Sequence, residues 1–95
     1  MDIVKYIPRG KENAVTRMAL RLVTGLSDRK VRQEIEEARA AGAIICNDQD
    51  GKGYYLPENN DEIYRMYKQD RHRALSILRR QKTMRKTLKD AGYLL

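Results

Sequence analysis

Arg29, Lys30, Arg32 and Gln33 fall within five consecutive residues, with Ser27 just ahead of them. A guanidinium is a planar donor that grips a phosphate or a guanine edge through two parallel hydrogen bonds, and a carboxamide can do the same with adenine. On a helix of about 100° per residue with Val31 at zero, Arg29 lies at about 160°, Gln33 at about 200°, Arg32 at about 100° and Lys30 at about 260°. Val31, Ile35 (about 40°) and Ala38 (about 340°) mark the opposite, buried stripe. The outward face is therefore basic over its first two turns and acidic further on, at Glu36 and Glu37. Glu34 and Glu36 also stand four residues after Lys30 and Arg32, a spacing that pairs charges on a merely solvated helix.

Other chemistry is poorly provided for. Cys46 is the only cysteine and His72 the only histidine, so an intrachain disulfide and a zinc site of paired Cys or His are ruled out. No nucleophile–base pair, paired acids in an apolar setting or phosphate loop is present. Asp48-x-Asp50-Gly51 is like the start of a calcium loop, but Asn59 stands at the twelfth position where that loop needs glutamate. The chain is expected to be no enzyme and to need no cofactor or metal.

The basic cluster needs a helix to carry it, and the flanking residues supply one. Thr16 is a suitable N-cap for a helix running to Thr24, with Leu20 and Val23 on one face, and Gly25 can end it in a left-handed conformation. Leu26 is the apolar turn residue. Ser27 caps the second helix, Asp28 favours the positive end of its dipole, and the helix runs to about Ala41 before Gly42. Ala43–Cys46 and Tyr54–Leu56 are β-prone runs joined by a turn-rich connection, which predicts a hairpin. Ahead of these, Ile3, Val4 and Ile7 sit at helical spacing in a segment stopped by Pro8 and Gly10. Lys11-Glu12-Asn13 reads as loop, and Ala14-Val15 can add a short strand to the hairpin.

From Asn60 to Ala91 there is neither Gly nor Pro, and Asn59 or Asn60 can cap a long helix. Met66, Tyr67, Ala74, Ile77, Leu78, Met84 and Leu88 lie within about 60° of one line drawn from Ile63. Tyr67, Ala74, Gln81 and Leu88 alternate with Ile63, Asp70, Ile77, Met84 and Ala91 as an imperfect heptad. Such a helix spans about 45 Å, more than the preceding residues can cover, so it either breaks near Gln81–Thr83 or pairs with another chain. The expected arrangement is a domain at residues 1–58, a helical extension at 59–95, and a homodimer through that extension.

The chain has 95 residues, no Trp and no Phe, so the core must be thin and built from aliphatic residues, Met and some of the six Tyr. Its net charge of +7 is segregated. Residues 1–33 carry eight bases against three acids, residues 34–58 two against six, and residues 59–95 ten against four. Two basic blocks around an acidic one suit an oriented polyanion. There is no N-terminal apolar leader and no apolar run near the roughly 18 residues a membrane span needs, and the single thiol suits a reducing cytoplasm. No small-molecule substrate is evident.

The ordered set Thr24-Gly25-Leu26-Ser27-Asp28-Arg29-Lys30-Val31-Arg32, Ile35, Arg39, Gly42, Ile44-Ile45 and Gly53-Tyr54-Tyr55-Leu56 resembles the winged helix-turn-helix family. In particular it is similar to small phage- or prophage-encoded proteins of bacteria, over about the first sixty residues. The resemblance implies an α+β fold of three short helices and a β-hairpin wing, here with a long C-terminal helix. It implies double-stranded DNA binding, in a transcriptional regulator or a replication-associated factor, with Ser27, Arg29, Lys30, Arg32 and Gln33 in the recognition positions. Thr16 and Arg17 at the start of the first helix, and Lys52 as the only base of the wing, complete the candidate set. The competing expectations are a protein-interaction adaptor that uses the same fold and the C-terminal helix, and binding to structured RNA.

Overall fold

The computed structural model describes residues 1–47 and 53–95. Thr16 opens α1 (Arg17–Thr24) by accepting a hydrogen bond from the Ala19 amide at 3.1 Å, and Gly25 closes it at φ 74°. Ser27 caps α2 (Asp28–Ala40) in the same way, accepting from the Lys30 amide at 3.1 Å. Between them the Thr24 hydroxyl donates to the Leu20 carbonyl (2.6 Å) and accepts from the Leu26 amide (3.3 Å), which tightens the turn. Leu26 packs against the core from there.

α2 ends one residue earlier than its sequence suggests. The Gly42 amide bonds the Arg39 carbonyl and the Ala43 amide bonds the Ala38 carbonyl, a glycine-centred exit with Gly42 at φ 106°. That exit uses Ala43, and the Ile45 carbonyl accepts from Arg39, so the ladder begins only at Cys46. β1 (Cys46–Asn47) pairs antiparallel with β2 (Tyr54–Tyr55), Cys46 opposite Tyr55 and Asn47 opposite Tyr54. Val15 joins the other side of β2 through two hydrogen bonds with Tyr54, at 2.7 and 2.9 Å. The contact is so close that a Cβ on Gly53, itself at φ 106°, would run into the backbone of Val15 and Thr16.

Ile3, Ile7, Leu20, Val31, Ile35, Ile45 and Tyr54 form the core cluster, with Ala38 and Leu56 half-buried against it. Ile3–Tyr6 makes a short 3-10 turn, and Lys11–Asn13, which reads as loop in the sequence, makes another. Val23 does not share the buried face of Leu20 and is 62% exposed. It lies about 60° around the helix from Leu20, and the thin core covers only one edge of α1.

α3 (Asn60–Asp90) is continuous, with no break near Gln81–Thr83. Asn59 caps it by accepting from the Glu62 amide at 3.0 Å. The Glu62 carboxylate is buried and reaches back to the domain, accepting from the amides of Glu58 (2.7 Å) and Lys11 (3.0 Å). Ile63 and Met66 are half-buried where α3 crosses β1, but every residue from 77 to 95 is exposed. The molecule measures 51 × 31 × 24 Å. The architecture is α+β: helices, a two-stranded antiparallel hairpin and a long C-terminal helix. No helix among the described residues is long and apolar enough to cross a membrane.

Candidate nucleic-acid interface

The caps decide where the basic side chains go. Ser27 starts α2 so that Val31 and Ile35 turn into the core, which leaves Arg29, Lys30, Arg32 and Gln33 exposed on its outward side. Thr16 starts α1 beside them and leaves Arg17 exposed at the same end of the domain. Asp28 ties the two helices together there. Its Oδ1 accepts from Arg17 Nε at 2.9 Å, and its Oδ2 lies 3.2 Å from Arg32 Nε.

The Tyr54 side chain also acts on the Arg17 guanidinium. Hydrogen bonding toward Tyr54, followed by the charge of Asp28, raises the Arg17 pKa above the ordinary arginine value, so Arg17 remains a cation. A cleft of about 400 Å³ opens at this junction, lined by Arg17, Arg21, Asp28, Asn47 and Tyr54 among others. Arg21, Asp28 and Tyr54 were not among the candidate residues. Arg21 follows Arg17 by four residues on an eight-residue helix, and that spacing places both on one face.

Other charges are already engaged. Lys30 Nζ lies 3.3 Å from Glu34, whose side chain is 9% exposed and whose other oxygen is 3.9 Å from the N-terminal amine. Gln33 donates to Glu37 at 3.3 Å. Arg39, a part of the sequence motif, faces inward: Nε and Nη2 donate to the Ile45 carbonyl at 3.2 and 2.8 Å, and Nη1 to Glu36 at 2.9 Å. It pins β1 to the end of α2 and contributes nothing to the outer face. Arg29 has no ion pair or hydrogen bond among the described residues.

The candidate residues Thr16, Arg17, Ser27, Arg29, Lys30, Arg32 and Gln33 thus gather at the N-terminal ends of α1 and α2. The hydroxyls of Thr16 and Ser27 serve as caps, which leaves their hydrogens as the groups still to be donated. Lys52, and with it the acidic residues Asp48 and Asp50, lies outside the described residues. No family model, curated protein or solved structure matches the chain.

Proposed function

We propose that the chain binds double-stranded DNA as a winged helix-turn-helix, with α2 entering the major groove by its first two turns. The observation that carries this reading is the convergence of Arg17, Arg29, Lys30, Arg32 and Gln33 at one end of the two capped helices, with Arg17 and Arg32 held by a single carboxylate. Helix N-termini add backbone amides and positive dipole ends beside these cations, an arrangement that attracts phosphate. Arg29, without an ion pair or hydrogen bond among the described residues, is the side chain best placed to read a guanine edge. Arg17 and Lys30 contact the flanking phosphates and fix the register of the helix.

Duplex binding of this kind releases counterions. With about five to eight phosphates neutralised, the logarithm of the association constant falls against the logarithm of salt concentration with a slope of about −4 to −7. A fluorescence-anisotropy titration of a labelled duplex from low to moderate salt measures this slope. A slope near zero removes the reading.

A further inference from the structure

The apolar line on α3 has a covered and an uncovered part. Ile63 and Met66 are half-buried against the domain, whereas Ile77, Met84 and Leu88 on the same line are 39%, 57% and 36% exposed. With Ile77 at zero, Gln81, Met84 and Leu88 lie at about 40°, 340° and 20°, and Leu78, 58% exposed, flanks them at about 100°. An exposed apolar stripe that runs along a helix in this way suits contact with a second helix. Met84 and Leu88 form a shallow, open apolar patch with Thr83 and Thr87 along its edge. Both flanks are basic. Residues 71–89 hold eight Lys or Arg and no Asp or Glu, with Arg80 on one side of the stripe and Arg85 on the other.

We propose that the distal half of α3 is the docking site for an acidic amphipathic helix of another protein. The stripe by itself would equally suit a second copy of α3. In either direction of pairing, however, two copies overlap their basic lengths along one seam, and like charges so placed oppose association. A nucleic acid would neutralise the bases but leave Ile77, Met84 and Leu88 in water. A helix with Leu or Ile along one line and Glu or Asp on its flanks fills the stripe and pairs the arginines together. This docking site uses neither α2 nor its basic face, so it is separate from the proposed DNA contact.

The probe is a synthetic peptide of three heptads with Leu at a and d and Glu at e and g; its control carries Lys at e and g. Calorimetric titration into the full chain at about 50 mM salt should give a one-to-one complex with the acidic peptide, weakened about tenfold or more at about 500 mM salt. The control should not bind. The double variant Ile77→Asp/Met84→Asp should lose the acidic peptide while its urea midpoint stays that of the parent, because neither residue touches the core. The double variant Arg80→Glu/Arg85→Glu keeps the stripe and should weaken the acidic peptide in favour of the control. Equal binding of both peptides overturns the proposal, as does undiminished acidic-peptide binding by Ile77→Asp/Met84→Asp. A free chain that sediments as a dimer at tens of micromolar, and loses this in Ile77→Asp/Met84→Asp, makes a second copy the occupant and overturns it too. Binding of neither peptide, with duplex affinity lowered by Arg80→Glu/Arg85→Glu, assigns the helix to nucleic acid and has the same effect.

Discussion

Asp28 holds Arg17 and Arg32 at 2.9 and 3.2 Å, so two long side chains lose part of their rotamer freedom before any ligand arrives. Arg29 has no such partner among the described residues, so a ligand would have to order it. Arg29 and Arg32 still share a role in the proposed interface, because both project from the first turns of α2. Arg29→Ala and Arg32→Ala should each reduce discrimination between a selected and a random duplex by about 1–3 kcal/mol. Lys86→Ala, on exposed distal α3, should leave discrimination unchanged, whatever it does to total affinity. Anisotropy titrations on both duplexes with the three variants decide this, and equal losses on both duplexes for all three would exclude base reading by α2.

At the scale of elements, α3 is rooted by one carboxylate. Glu62 takes the amides of Lys11 and Glu58, one of them 51 residues away, while its own amide bonds the Asn59 cap. Both bonds are only part-buried, so water takes over some of the lost pairing, and a hydrogen bond of this kind contributes about 0.5–1.5 kcal/mol net. Glu62→Ala removes two of them and should lower stability by about 1–3 kcal/mol, as read from urea unfolding. Glu62→Gln keeps one carbonyl acceptor and should fall between the parent and the alanine variant. A Glu62→Ala protein as stable as the parent would show that the start of α3 is held by Ile63 and Met66 alone. The same variants should leave α1 and α2 in place, because Glu62 lies against the Lys11–Asn13 turn and not against the core cluster.

Across the whole molecule, stability is unevenly distributed. The core cluster joins the 3-10 turn at Ile3–Tyr6, α1, α2 and the hairpin, whereas residues 77 to 95 rest on helical hydrogen bonds alone. An isolated helix of such length is marginal in water, so this part opens locally far more often than the domain unfolds. Limited trypsin digestion should therefore cut first between Arg79 and Lys89 and leave a resistant fragment that retains the domain, identified by mass spectrometry. Early cleavage at Arg29 or Arg32 would instead mean that α2 opens as readily as the distal helix. An added acidic peptide bound to the stripe should slow the first cut.

The local features of this chain are legible in its sequence. Thr16, Ser27 and Asn59 cap their helices and Gly25 turns left-handed, because each effect acts within about four residues and depends only on neighbours in the chain. The period of Val31, Ile35 and Ala38 likewise determines which side of α2 turns to solvent, and with it the exposure of Arg29 and Gln33. Tertiary packing decided the rest. Val23 repeats the spacing of a core residue yet stays in water, since burial depends on what other element arrives to cover a face. Asp28 reads as a helix-dipole residue, but it becomes the link between Arg17 and Arg32 only once the turn at Gly25 brings α1 beside α2. Arg39 and Glu62 carry the charge of surface residues and are drawn inward by the carbonyl of Ile45 and the amides of Lys11 and Glu58. A side chain's periodicity is a property of its own helix, but its partners come from chain segments that only the folded arrangement brings within hydrogen-bond reach.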